Sequence, residues 1–169
     1  MTIMKLAAIA LGLFLFSASE GIAGETGKEL PLPLETRQEL DRTMYWLKNA
    51  IESINIVLTP IEPEIGTQYY SHYSFENEGC SVTFSYEFNY YERISQSRKT
   101  TRLGASFNLK DIGSPSAAPF YLTHIETHLY SVSGNSFRIP VKNADFAEKI
   151  ADKINLARRL CSGSEEKKK

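Results

Sequence analysis

Residues 79–90, GCSVTFSYEFNY, alternate without a break. Cys80, Val82, Phe84, Tyr86, Phe88 and Tyr90 fall on one side of an extended chain, and Ser81, Thr83, Ser85, Glu87 and Asn89 on the other. A period of two with aromatic and β-branched residues on the apolar side defines a half-buried strand of an antiparallel sheet.

Outward from this strand the same pattern continues, more weakly. Gly66 to Glu76 reads as the first strand, with Tyr69, Ser71, Tyr73 and Phe75 on one side and Tyr70, His72, Ser74 and Glu76 on the other. Asn77-Glu78-Gly79 supplies a tight hairpin between the two strands. Glu92 to Thr100 is polar and reads as a solvated connection, and Thr101 to Ile112 as a third strand with Leu103, Ala105, Phe107 and Leu109 inward. Gly113 to Ser116 breaks it. Phe120 to Val132 is expected as the fourth strand, Ser133 to Ser136 as a turn, and Phe137 to Val141 as a short fifth strand that Pro140 places at a sheet edge.

Two amphipathic helices flank the strands. Thr36-Arg37-Gln38-Glu39 has the form of a capping box, and Leu40, Met44, Leu47, Ile51, Ile54 and Leu58 then recur at helical spacing until Pro60 and Pro63 turn the chain. Near the other end, Asp145-Phe146-Ala147-Glu148 has a capping-box form with Asp as cap, and Ala147, Ile150, Ile154, Ala157 and Cys161 make one stripe. The expected fold is therefore α+β: an antiparallel four- to five-stranded meander, open or curled, with an N-terminal and a C-terminal helix on its apolar face. One domain over residues 34–161 suits a chain of 169 residues.

The ends are expected to lie outside that domain. Lys5 precedes an apolar run from Leu6 to Phe16, and the small residues that follow end in Gly21-Ile22-Ala23, so residues 1–23 read as a signal peptide cut before Gly24. An eleven-residue run is about half of the ~20 residues that span a bilayer. Residues 162–169 read as a disordered charged tail. Export, periplasmic or secreted, gives the two cysteines a meaning. Cys80 lies on the apolar face of its strand and Cys161 on the apolar stripe of its helix, so the pair is expected to form a disulfide within one buried layer. A net charge of −1 points neither to nucleic acid nor to an anionic membrane as partner.

Gly79-Cys80 opening a strand, Leu109-Lys110-Asp111-Ile112 ending another and a last helix from Phe146-Ala147 to Cys161 resemble a group of uncharacterised exported bacterial α+β proteins with a strand-to-helix disulfide. The resemblance implies a secreted sheet-and-helix domain and brings no activity with it. A barrel closed by a C-terminal helix, as in pleckstrin-homology-like folds, or a sheet curled around a helix, as in nuclear-transport-factor-like folds, fits the same element order.

Chemistry has few footholds. No G-x-S-x-G elbow, H-E-x-x-H pair or glycine-rich phosphate loop occurs. His124, Glu126 and His128 alternate on the expected fourth strand, but steps of ~6.8 Å put the outer histidines ~13.6 Å apart, too far for one metal ion. No catalytic residue, metal or cofactor is assigned on this basis. The outward parity instead collects Tyr70, His72, His124, Glu126 and His128 into an aromatic and polar surface, suited to a protein partner in the envelope or outside the cell. The first functional reading is a non-enzymatic interaction or binding module with that surface. Its rival is a small-ligand carrier or enzyme whose curled sheet and helices enclose a pocket lined by tyrosines and Trp46, which requires a sizeable closed cavity.

Overall fold

The computed structural model describes residues 32–61, 66–92, 94–122 and 128–163. The expected signal peptide, the tail from residue 164, His124 and Glu126 lie outside them.

Helix α1 (Leu34–Glu52) starts directly after Pro33, whose carbonyl accepts the Arg37 N–H at 2.9 Å. The helix thus begins before the expected capping box, and Thr36 sits in its first turn; no side chain caps this end. Leu40, Met44, Leu47 and Ile51 form the buried stripe. The helix stops at Glu52, and the chain straightens into strand β1 (Ile56–Leu58), so Ile54 and Leu58 are buried from outside the helix.

Strands β2 (Gln68–Glu78), β3 (Ser81–Glu92) and β4 (Ser97–Asn108) complete an antiparallel sheet in the order β1-β2-β3-β4. The β2–β3 turn is Gly79–Cys80, one residue later than the sequence suggests. Glu78 pairs with Ser81, and Gly79 takes φ +55°, a left-handed geometry that glycine adopts without steric cost. Strand β4 begins four residues earlier than expected and continues the ladder through Ser97 to Arg102, because the β3–β4 pairing runs uninterrupted from Ser81↔Asn108 to Glu92↔Ser97. Gly104 is needed in this ladder: a Cβ there would press into the Phe84 carbonyl oxygen and lie 2.9 Å from Ser85 Cβ.

A second antiparallel sheet follows in the order β5-β6-β7, formed by β5 (Ser116–Phe120), β6 (Leu129–Ser133) and β7 (Arg138–Val141). The single strand expected over 120–132 is thus not continuous: β5 runs from the last residue of the expected break to Phe120, where that strand should begin, and β6 holds only the last residues of the stretch. Pro140 is on an edge strand, as its missing N–H requires. The described residues thus contain two sheets of four and three strands rather than one meander, within the expected α+β class.

Helix α2 (Ala144–Ser162) is capped by Asn143, whose side chain accepts the Phe146 N–H at 3.2 Å, and not by Asp145. Gly163, at φ +63°, closes its C-terminus. Its buried residues are Ala147, Ile150, Ala151, Ile154, Ala157 and Cys161, the expected stripe with Ala151 added. Helix α1 packs against α2 and β2, while α2 covers β5, β6 and β7.

Aromatic rings and one covalent bond tie these layers together. Phe137, in the β6–β7 turn, stacks on Phe107 at 4.8 Å and meets Phe84 edge-on at 5.9 Å, so the smaller sheet closes over the inner face of the larger. Cys80 and Cys161 form the expected disulfide, with Cα atoms 5.8 Å apart. The bond fastens the β2–β3 turn to the last turn of α2, and the Cys80 carbonyl also accepts the Leu109 N–H at 2.9 Å. Among the described residues, no helix is long and apolar enough to cross a membrane.

Candidate functional site

The residues expected on one outer surface do not share a face. Tyr70 is in the core, with 4% of its surface exposed, whereas the His72 side chain is 74% exposed. Strict alternation would place both on the same side. A β-bulge separates them: Ser71 pairs with Glu87 and Ser74 with Ser85, so His72 and Tyr73 together oppose Tyr86. His72 absorbs the extra residue at φ +51°, in the left-handed region where histidine is enriched among non-glycine residues. Before the bulge Tyr70 points inward, and after it Tyr73 and Phe75 do. His128 is exposed immediately before β6, at the margin of the other sheet. With His124 and Glu126 outside the described residues, His72 is the one member of the expected set on the outer face of the larger sheet.

That face is built mainly from the polar side of β3 and its cross-strand neighbours. His72 Nδ1 lies 2.9 Å from Glu87 Oε2 and 3.1 Å from Ser71 Oγ. Beside this pair, Ser85 Oγ lies 2.8 Å from Ser74 Oγ and accepts two N–H groups of Arg102, at 3.1 Å and 2.9 Å. Thr83 and Ser106 hydroxyls meet at 2.9 Å, and Asn89 donates to Thr100 at 3.0 Å. Arg98 reaches across to the Thr67 carbonyl at 2.9 Å. Side chains from three strands are therefore held in a hydrogen-bonded polar array, whose fixed rotamers lower the entropy lost on contact. Sequence alternation puts Ser85, Glu87 and Arg102 on the outward side; it could not show that Glu87 meets His72, because the bulge sets that register.

Between helices and sheets there is an enclosed void of about 10 Å³ lined by Leu47, Phe75, Phe84, Phe107, Leu109 and Ile154, room for at most one water and without a polar partner for it. Trp46 packs at the rim of the core with Lys153 Nζ 5.9 Å from its ring centre, and Tyr45 is exposed. A larger space, about 420 Å³ and open to solvent, lies between the α1–β1 connection and the start of α2, where Asn55, Lys142, Asp145, Phe146 and Lys149 line it with mixed charge.

Tyr70, Tyr73 and Tyr86 form an inward-facing cluster, with Tyr73 and Tyr86 stacked at 5.1 Å and Tyr70 edge-on to Tyr86 at 5.7 Å. The Tyr73 hydroxyl donates to the Pro140 carbonyl at 3.0 Å, joining the larger sheet to the edge of the smaller. Burial raises the pKa of all three phenols above the ordinary value near 10, because the phenolate would lose its hydration. A folded pKa above the unfolded one means that these groups support the fold fully below pH ~10 and progressively less above it. Chemical denaturation followed across pH 8 to about 12 is expected to show stability falling from about pH 10 upward, and replacing Tyr73 by Phe should flatten that fall. An alkaline limb with the same slope in both proteins would contradict the assignment.

Among the described residues, no group of three or more His, Cys, Asp and Glu side chains is placed to hold a metal ion. No protein-family model matches the chain, and neither a curated protein nor a solved structure does.

Proposed function

We propose that this chain is an exported, non-enzymatic binding module whose contact surface is the outer face of β2, β3 and β4. The observation that carries the reading is the polar array across that face, where His72, Ser74, Ser85, Glu87 and Arg102 are fixed by contacts with each other instead of being left as independent solvated side chains. The Cys80–Cys161 bond supports an oxidising compartment, and the apolar run of residues 6–16 supports export with a mature chain starting at Gly24. The void of about 10 Å³ between sheet and helices is too small to hold a ligand, which weighs against a carrier that uses that space.

Crosslinking and pull-down of the tagged mature chain, with the wild type beside a His72→Ala/Glu87→Ala/Arg102→Ala variant, tests the reading. The expected result is one reproducible protein partner that the wild type captures and the variant loses, both proteins having the same thermal midpoint. Equal capture by both would remove the outer face from consideration. A small molecule found by native mass spectrometry on an otherwise unaccompanied chain would favour a ligand carrier that uses the open cleft near Lys142 and Lys149.

A further inference from the structure

A sheet ends in strands whose outward N–H and C=O groups have no partner, and proteins blunt such edges by shortness, proline, covering elements or charge. Of the four edge strands among the described residues, three are blunted by the first three means. Strand β1 has three residues, β5 contains Pro119, and β7 contains Pro140 with Ile139 and Val141 buried beside it. Where β2 extends past β1, α1 covers it: Glu52 accepts the Phe75 N–H at 3.2 Å, and Lys48 donates to the Phe75 carbonyl at 3.1 Å.

Strand β4 is different. It has twelve residues, contains no proline, and is exposed without interruption from Arg98 to Gly104. Among the described residues, no strand pairs with its far side. It carries Arg98, Lys99 and Arg102 and no carboxylate. Arg98 and Arg102 hydrogen-bond neutral acceptors, the Thr67 carbonyl and the Ser85 hydroxyl, while Glu87, opposite Arg102 in the ladder, turns to His72. Among the described residues, Lys99 is the one cation of the three with an acidic partner, Glu92 at 3.3 Å. Two copies of such an edge would bring like charges together, so the cations oppose self-pairing and favour an acidic strand.

We infer that β4 is a strand-accepting edge, to which an acidic, extended segment of another protein adds as a further strand of the sheet. This rests on the binding-module reading and specifies its partner. Strand geometry sets the recognition rule. Arg98 and Arg102 lie on the outer side, four positions apart and so ~13.6 Å along the strand. Leu103, 41% exposed, lies on the inner side. The incoming segment therefore needs two carboxylates four residues apart on one side and, on the other side, an aliphatic residue next to the carboxylate that faces Arg102, where it meets Leu103.

The test uses the full mature chain with its disulfide intact and an eight-residue peptide with valine at every odd position, glutamate at the second and sixth and threonine at the fourth and eighth. Its counterpart carries lysines at the same two positions. At about 1 mM peptide, a concentration that detects even weak affinity, amide hydrogen exchange along β4 is expected to slow roughly tenfold with the glutamate peptide and not with the lysine one. Arg98→Glu/Arg102→Glu, both on exposed positions, should reverse the preference. Unchanged β4 exchange, equal effects of both peptides, or protection that grows with protein concentration alone would each overturn the inference, the last by showing a second copy on the edge. These outcomes do not depend on whether the outer-face alanine variant keeps its captured partner, so the two ideas can fail separately.

Discussion

Replacing both cysteines, as Cys80→Ala/Cys161→Ala, should lower the unfolding free energy by about 4–5 kcal/mol, the chain-entropy value for releasing a loop of this length. Alanine is the suitable replacement because Cys161 is 2% exposed, and a hydroxyl there would add an unsatisfied polar group to the loss of the bond. The bond joins residues 81 positions apart and fixes a two-residue turn to the end of the closing helix. Against a net stability of about 5–15 kcal/mol for an ordinary domain, the loss is a large fraction of the whole. Urea unfolding of the oxidised wild type and the double variant measures it. The midpoint should fall, and the slope should rise as the unlinked unfolded chain exposes more surface. Coincident curves would show that packing alone holds the turn to the helix.

The second large effect is expected at Phe84. Its ring is 2% exposed and meets Phe107 and Phe137, so it stands where the inner face of the larger sheet touches the turn of the smaller one. Phe84→Ala should cost about 3–5 kcal/mol, the range for truncating a buried aromatic side chain when the space cannot collapse. The existing void beside Phe84 would merge with the new cavity, which favours the upper part of that range. Tyr121→Ala, at a position 73% exposed, is the control and should change stability by less than about 0.5 kcal/mol. Similar losses at both positions would mean that the aromatic contacts between the sheets contribute little.

The parts of the fold that could be read in advance are those whose two faces see different surroundings. Strand β3 has core on one side and solvent on the other, and its alternation survives intact in the burial of Val82, Phe84 and Tyr86. The α2 stripe and the disulfide followed from the same contrast. Strand β4 could not be read this way: from Ser97 to Arg102 no residue is buried, so the run carries no alternation and resembles a loop. Strand β1 is shorter than any period can register. At Tyr70 the structure departs from the expected surface for a third reason. Simple parity along β2 runs through His72 as through a regular strand, and the one extra residue there reverses inside and outside for everything before it. Nothing local in Ser71-His72-Tyr73 announces a bulge; only the partner strand reveals the two-against-one pairing.

The disulfide also decides how the molecule would bear a mechanical load. Cys80 to Cys161 closes a covalent ring that contains β3 through α2 and leaves α1, β1 and β2 outside it. If the two ends of the chain were drawn apart, tension would pass along the N-terminal segment to Cys80, cross the sulfur bridge and leave at Cys161. The ring would hang slack. Only α1, β1 and β2 could pay out length, at up to about 3.3–3.6 Å per residue, while the inner portion kept its contour hidden from the pull.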